Sequence, residues 1–165
     1  MPLARGWERQ LDEKANPIFY DKRTLTPSLY HDWLRENAVR WVALPNAKLD
    51  YSARAEAALL RKGARFLKLV HRSTRWSIWE VAGTDPPASE GAQVLAAGPT
   101  WFEVDTRRPT VVRYRYTKYW YSTEACVRRA PGGWTSIDPD RAGVVMVRAR
   151  FGLERRSDPA CQKSR

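Results

Sequence analysis

Residues 113–121 form the segment whose residue types are best suited to binding chemistry, because arginines and tyrosines alternate in it and aromatic residues end it. In an extended strand alternate side chains share a face, so Tyr114 and Tyr116 would lie on one face and Arg113 and Arg115 on the other. Aromatic rings beside cations can stack on nucleic-acid bases or on the apolar faces of sugars. The alternative is that the tyrosines line a core and the arginines are solvated.

A second alternating run, residues 144–151, has a similar pattern. Val145 and Val147 would form an apolar face, while Arg148 and Arg150 would point away from it. If the two strands are neighbours in one sheet, their arginines form a cationic ladder on one sheet face, which is the best candidate for anion binding. The members of this ladder would be Arg113, Arg115, Arg148 and Arg150.

The aromatic run Tyr119, Trp120 and Tyr121 follows the first of these strands. Large rings with an apolar body suit contact with the C–H faces of sugars, so we predict that these three residues contact glycan. A phosphate-binding loop is excluded at Gly132 and Gly133, because the glycine spacing differs and no Lys-Ser or Lys-Thr follows.

The close carboxylate pairs in the sequence do not have the arrangement of a catalytic acid–base pair. Carboxylates can do acid–base work when a cleft holds them with separated pKa values, whereas the close pairs here are predicted in a loop, on a helix face and in a turn, where water solvates them. The pairs are Asp12–Glu13, Asp32–Glu36 and Asp138–Asp140. We therefore predict no catalytic residue and no cofactor for this chain.

A metal site is also not expected from the cysteines and histidines. Cys126 and Cys161 can make at most one disulfide bridge, and because Cys161 lies in a polar tail we expect two free thiols instead. His31 and His71 are far apart in sequence and lack the spacing of a metal-binding pair.

The net charge points to anionic partners. The 165 residues include 29 Lys and Arg against 18 Asp and Glu, a formal charge of +11, which favours nucleic acid, an anionic membrane surface or phosphorylated ligands. The alternative is an arginine-rich surface that reflects codon usage in a GC-rich genome. The N-terminal residues lack the apolar stretch of a signal peptide, and no apolar run approaches the roughly 20 residues of a membrane-spanning helix. The isolated chain is therefore expected in the cytoplasm.

Helix and strand patterns alternate in the first half of the chain. Thr26 followed by Pro27 is typical of a helix N-terminus, and Asp50 offers a second cap before a helix at 53–62 that Gly63 ends. Strands are predicted at 39–44, 65–71 and 75–81.

Short strands separated by turns fill the second half, which is typical of an antiparallel sandwich. We predict an α+β fold with a small α/β N-terminal lobe at 1–84, a linker at 85–91, an antiparallel β-sandwich at 92–152 and a disordered tail at 153–165. The sandwich strands are predicted at 93–97, 101–106, 110–116, 119–127, 134–137 and 144–151.

Several strings in the sequence are distinctive. Residues 37–46 read Asn-Ala-Val-Arg-Trp-Val-Ala-Leu-Pro-Asn and residues 49–56 read Leu-Asp-Tyr-Ser-Ala-Arg-Ala-Glu, with further such strings at 3–11, 113–120 and 126–135. Over roughly residues 3–152, the chain resembles a soluble C-terminal region of actinobacterial multi-pass membrane proteins. Many of those proteins resemble membrane glycosyltransferases that use lipid-linked sugar donors.

This resemblance implies a location on the extracytoplasmic side of the cell membrane. It transfers no catalytic residue, because the shared strings carry no known chemistry, and we treat the chain as a separated piece of such a protein. We therefore predict a non-catalytic accessory domain that contacts glycan or anionic lipid. Its partners would be the membrane-embedded portion of the same system or an anionic membrane surface; a basic nucleic-acid-binding module is the alternative.

Overall fold

The computed structural model describes residues 4–5, 9–21, 25–150 and 161. These residues form an α+β fold with three antiparallel sheets and a β-rich, sandwich-like body, so the predicted fold class is confirmed. The chain divides into two compact units between Asp85 and Pro86. No helix within the described ranges is long and apolar enough to cross a membrane.

The N-terminal unit packs helices on one face of a three-stranded antiparallel sheet, whose strand order is β1-β3-β2. Its helices are α1 (Arg9–Ala15), α2 (Pro27–Glu36) and α3 (Tyr51–Lys62), and its strands are β1 (Trp41–Pro45), β2 (Leu67–Arg72) and β3 (Trp76–Val81).

Side-chain caps fix where α2 and α3 begin, as the sequence predicts. The Thr26 hydroxyl accepts a hydrogen bond from the backbone N–H of Leu29 (3.2 Å), and the Asp50 carboxylate accepts one from Ala53 (2.9 Å). Each cap satisfies a backbone donor that the first helical turn leaves without a partner. Gly63, with a φ of 81°, ends α3.

The apolar core of this unit lies between the helices and the sheet. Tyr30 and Leu34 of α2 are fully buried, and they belong to one cluster with Leu60 of α3 and Trp79 of β3. The ring of Phe19 meets that of Trp33 edge to face, with centroids 4.9 Å apart, an arrangement that aromatic pairs favour.

The C-terminal unit is built from two antiparallel sheets. One has the strand order β4-β5-β10-β7 and the other the order β6-β9-β8. The strands are β4 (Ala92–Ala97), β5 (Trp101–Thr106), β6 (Thr110–Arg115), β7 (Trp120–Tyr121), β8 (Ala125–Arg129), β9 (Trp134–Pro139) and β10 (Gly143–Ala149).

One apolar cluster joins these two sheets face to face. Phe102 and Val147 enter it from the first sheet, and Val112 and Ile137 enter it from the second. Along each strand these buried residues alternate with outward-facing ones, the period of two that a sandwich requires. Ala88, within the predicted linker, is also buried in this cluster and pairs with Val112.

Two sequence predictions about strands need correction. The stretch predicted at 119–127 is two strands, because the chain turns at Ser122, whose hydroxyl accepts from the N–H of Glu124 (3.1 Å), and passes from the first sheet to the second. The strand predicted at 144–151 begins one residue earlier as β10 and ends at Ala149. Of the predicted tail at 153–165, Cys161 alone lies among the described residues.

Cys126 and Cys161 form a disulfide bond, so the expectation of two free thiols is wrong. Their Cα atoms are 4.5 Å apart, and Cys126 lies buried in β8. The bond fixes Cys161 to β8, an edge strand of the second sheet, although 35 positions separate the two residues in sequence. The polar character of the residues around Cys161 gave no information about this pairing, because a disulfide depends on distance in the folded chain.

Candidate functional site

The cationic ladder predicted from the sequence does not form, because its two strands belong to different sheets. β6 pairs with β9, whereas β10 pairs with β5 and β7. The four arginines therefore separate into two pairs. Arg113 and Arg115 lie on β6, and Arg148 and Arg150 lie on and just beyond β10.

On the second sheet, Arg115 is held by an aromatic ring and a turn. Its guanidinium carbon lies 4.1 Å from the ring centroid of Trp134, and its Nη1 donates to the carbonyl oxygen of Gly132 (2.8 Å). A Cβ atom added to Gly133 would lie 3.8 Å from Nη1 of Arg115 and 3.7 Å from Nη2 of Arg129, so both guanidinium groups converge on this turn. The Pro131–Gly133 turn predicted from the sequence thus orients Arg115. The hydrogen bond to the Gly132 carbonyl uses one of the N–H groups that the Arg115 guanidinium could otherwise offer to a ligand.

On the first sheet, Arg148 lies between two aromatic residues. It pairs directly with Trp101 of β5 on one side and with Tyr121 of β7 on the other. Directly opposed residues of antiparallel strands project to the same face, and the neighbouring Val147 is buried, so this face points away from the core. We name the set Trp101, Arg148 and Tyr121 the aromatic–arginine row.

Arg150 adds a second cation to one end of the row. Its guanidinium carbon lies 5.4 Å from the ring centroid of Tyr121, and its backbone N–H donates to the carbonyl oxygen of Tyr119 (2.9 Å). Both Arg148 and Arg150 are exposed, while Trp101 and Tyr121 are half-buried. Together with Arg150, the row presents two ring surfaces and two guanidinium groups, and sheet hydrogen bonds fix the strands that carry the row itself.

Trp101 was missed by the sequence reasoning, and the residue that positions it is Gly98. A Cβ atom at position 98 would lie only 2.3 Å from Nε1 of Trp101, so the indole ring occupies space that a side chain would fill. The backbone N–H of Gly98 donates to the carbonyl oxygen of Trp101 (2.8 Å), which closes the turn between β4 and β5. The sequence signal that could have indicated this packing is Gly98, three residues before the tryptophan that begins β5.

The three aromatic residues predicted to contact glycan have different environments. Tyr119 is exposed, with the Lys118 ammonium 5.2 Å from its ring centroid, and Tyr121 belongs to the row. Trp120 instead packs edge to face on buried Phe102 (5.2 Å between centroids) and donates from Nε1 to the carbonyl oxygen of Arg115 (3.0 Å). Successive residues of a strand face opposite sides, which explains why Tyr121 faces outward and Trp120 faces the core.

A second set of charged residues, in the N-terminal unit, is buried. Arg5 donates to Glu56 (2.5 Å) and lies 3.4 Å from Asp12, which is only 2% exposed. The sequence placed Asp12 in a solvated pair with Glu13, and for Asp12 this is wrong. Asp12 also accepts hydrogen bonds from Asn16 (2.9 Å) and Tyr20 (2.6 Å).

The pKa shifts in this buried network follow from its composition. Burial raises the pKa of Tyr30 far above its ordinary value, and the Glu56 carboxylate, which accepts the Tyr30 hydroxyl at 2.6 Å, raises it further. Burial alone would lower the pKa of Arg5, but Glu56 and Asp12 outweigh it and the net shift is upward. The arginine therefore stays charged and the tyrosine neutral, as the hydrogen bonds of a structural network require.

The described residues contain no group of three or more His, Cys, Asp and Glu side chains that could hold a metal ion. The carboxylates of Asp12 and Glu56 both contact Arg5 and accept hydrogen bonds from tyrosines, an arrangement that stabilises a fold rather than one that moves protons. The aromatic–arginine row is thus the feature of the described surface that best suits a ligand.

Comparison with protein-family models, with curated proteins and with solved structures found no match to this chain. The resemblance to the soluble region of multi-pass membrane proteins therefore stays a prediction, and a functional argument has to start from the geometry of the row.

Proposed function

We propose that this protein is a non-catalytic accessory domain that binds an anionic glycan at the extracytoplasmic side of the cell membrane. It would act beside the membrane-embedded part of a glycosyltransferase-like or other multi-pass membrane protein. The observation that carries the binding proposal is the aromatic–arginine row, where Arg148 lies directly between Trp101 and Tyr121 on an outward face.

The chemistry of the row fits a sugar that carries a negative charge. Aromatic rings offer a flat apolar surface to the C–H face of a sugar, and a guanidinium beside them donates paired hydrogen bonds to a carboxylate, sulfate or phosphate group. Neighbouring strands hold these groups at fixed spacing, so little conformational entropy is lost when a ligand binds.

The disulfide between Cys126 and Cys161 supports a location outside the cytoplasm. Such bonds form and persist in oxidising compartments, whereas the cytosol of mesophilic organisms keeps thiols reduced. This evidence is independent of the sequence resemblance, which implies the same side of the membrane. The membrane-protein partner itself rests on the resemblance alone.

The binding proposal can be tested by titrating the full-length chain with two oligosaccharides that differ only in one phosphate or uronate group. Calorimetry should show binding of the charged sugar. Arg148→Gln should weaken it about tenfold or more, as expected for a lost charge-assisted hydrogen bond. Arg107→Gln is the matched control, because it removes the same charge from an exposed position outside the row.

Trp101→Ala extends this test to the apolar part of the site. Loss of a ring surface should weaken the charged and the uncharged sugar by similar factors, whereas Arg148→Gln should affect the charged sugar alone. Equal weakening by Arg107→Gln and Arg148→Gln, or no sugar binding by the wild-type chain, would show that the row is not a glycan site.

The second candidate function is nucleic-acid binding, which the net charge of +11 favours. Phosphate contacts release counterions, so binding to single-stranded DNA should weaken steeply as salt rises, while sugar stacking should respond far less. Tight binding of single-stranded DNA at physiological salt, lost in the Trp101→Ala variant, would favour this alternative over the glycan.

A further inference from the structure

The hairpin formed by β2 and β3 of the N-terminal unit carries an exposed apolar surface that a sugar site in the C-terminal unit leaves unexplained. Leu69, Val70 and Trp76 expose 41%, 43% and 46% of their surface. These side chains do not share one sheet face: Leu69 opposes buried Trp79, whereas Trp76 projects from the opposite face, so exposed apolar groups lie on both sides of the hairpin's edge and tip. β2 is at the edge of its sheet and pairs with β3 alone among the described strands.

The same hairpin is strongly cationic. Between Glu56 and Glu80 the sequence contains no Asp or Glu, and in that interval it places a run of arginines and lysines. The exposed cations nearest these apolar residues in the hairpin are Lys68, Arg72 and Arg75. Positive charge and exposed apolar surface therefore coincide on one element.

The turn that joins the two strands is held rigidly. The Ser73 hydroxyl accepts from the N–H of Trp76 (3.0 Å), and the N–H of Ser73 donates to the Trp76 carbonyl (2.8 Å). Asn46, at the end of β1, donates from its side chain to Thr74 (3.1 Å) and from its backbone to Arg75 (2.8 Å). A partner that binds this tip would not have to order it first, so little entropy opposes binding.

We infer that this hairpin docks the N-terminal unit on the surface of an anionic phospholipid bilayer. Tryptophan favours the membrane–water interface, and aliphatic side chains gain free energy by entering the glycerol and upper acyl region. Arginine and lysine stems extend along such a surface while their charged ends remain at the phosphates, each adding attraction to anionic lipid. The docking region is the edge and tip of the hairpin, with side chains from both sheet faces: Lys68, Leu69, Val70, Arg72, Arg75 and Trp76.

Nucleic acid explains this surface less well than a bilayer does. Phosphates would attract the cations, but Leu69 and Val70 would gain little against a hydrated phosphate backbone, whereas a lipid interface takes up both kinds of side chain. A partner strand added at the edge is disfavoured, because Val70 forms a bulge in β2 and Lys68 and Arg72 flank it, features by which proteins block edge-to-edge pairing.

This inference deepens the proposed membrane location by naming the surface that contacts the lipid. It uses residues of the N-terminal unit only, and its test contains no sugar. Failure of the lipid experiment would leave the glycan proposal standing, and failure of the sugar titration would leave the lipid proposal standing.

Vesicle binding by the full-length chain tests the inference. The chain should co-sediment with vesicles of phosphatidylcholine and phosphatidylglycerol and much less with vesicles of phosphatidylcholine alone. Arg72→Gln combined with Arg75→Gln should lower the partition coefficient at least about tenfold. Arg54→Gln with Arg61→Gln, on exposed positions of α3, removes the same charge and should lower it no more than about threefold.

Depth can be measured on the wild-type chain without relying on any charge variant. Lipids brominated near the glycerol region should quench the tryptophan fluorescence of bound protein, and Trp76→Ser should remove a large part of that quenching. The inference is overturned by equal losses in the two double variants, by no preference for anionic vesicles, or by no quenching. It is also overturned if the hairpin variant weakens single-stranded RNA binding or self-association while vesicle binding is unchanged.

Discussion

Arg5 and Arg148 show two opposite uses of the same side chain in the two units of this protein. Arg5 is mostly buried, lies 3.8 Å from the ring centroid of Phe19 and contacts two carboxylates. Arg148 is exposed, and its register partners on the neighbouring strands are two aromatic residues rather than carboxylates. In the first case protein groups compensate the charge; in the second, solvent does.

This contrast separates the arginines that hold the fold from those available to a ligand. A buried charge without its partners costs several kcal/mol, so the network around Arg5 ties its members to one arrangement. An exposed guanidinium beside rings costs little to maintain and can exchange water for an anion. Sequence composition counts both arginines equally in the net charge, although only the second kind is exposed to solvent.

The largest predicted effect is the loss of Arg5. Arg5→Met leaves Asp12 and Glu56 without their cation and should lower the free energy of unfolding of the N-terminal unit by about 3 kcal/mol. Arg148→Met, at the exposed row, should change the stability by less than about 0.5 kcal/mol. Urea denaturation with hydrogen exchange assigned to each unit measures both. Similar stabilities for the two variants would remove the distinction drawn between the two arginines.

The disulfide should stabilise the C-terminal unit alone. A bridge that closes a loop of 35 positions is worth about 4 kcal/mol in the chain-entropy account. Replacement of Cys126 and Cys161 together by Ser should therefore lower the stability of the sandwich while amide exchange in α2 and α3 remains unchanged. Unfolding of both units at the same lower denaturant concentration would contradict the independence of their cores.

A smaller effect is expected at the cap of α3. Asp50→Ala should cost about 1 kcal/mol, because the N–H of Ala53 loses its acceptor. The hydrogen bond from Ser52, followed by that from Ala53, lowers the pKa of Asp50 below its ordinary value of 3.8. Since the folded pKa lies below the unfolded one, this stabilisation is complete well above pH 4 and is lost as the pH falls through the folded value.

Comparison with Asp50→Asn isolates that pH dependence, because the amide oxygen can still cap the helix and does not titrate. The stability difference between wild type and Asp50→Asn should shrink as the pH falls from 5 to 2 in thermal denaturation. A difference that stays constant over this interval would show that the carboxylate charge contributes nothing to the cap.

A small effect on stability is also predicted at Gly98. A methyl group there would overlap the indole of Trp101, which can move outward, so Gly98→Ala should change the stability by less than about 1 kcal/mol. The displaced ring should nevertheless shift the tryptophan fluorescence and weaken sugar binding as Trp101→Ala does. Unchanged binding would mean that the ring position is not part of the ligand site.

Local patterns were sufficient for most elements of this fold, although they predicted neither α1 nor the break between β7 and β8. Thr26 and Asp50 are N-caps as predicted, since a cap depends on residues three positions apart. The alternation of Val145 and Val147 with Arg148 predicted a strand with one buried face, and β10 has that pattern. Fold class could therefore be predicted, because the period of burial is written in neighbouring residues.

The candidate site could be predicted only in part. Arg148, Arg150 and Tyr121 were named, but the ladder that was to unite Arg148 with Arg113 assumed a strand pairing that β6 and β10 do not make. Trp101 was missing because its place in the row comes from the register between β5 and β10. Register is set by the packing of a whole sheet, so no short segment contains it.

The sequence by itself determined most of the helices and strands, which faces of them are apolar, and that the chain carries an excess of positive charge. The tertiary structure decided which distant residues meet: Asp12 with Arg5, Cys126 with Cys161, and Trp101 with Arg148. The physical reason is that helix caps and burial periods depend on covalent neighbours. Charge burial, disulfide geometry and strand register depend instead on distances between residues that are far apart in sequence. Those distances are set only when the sheets and helices within each unit have packed.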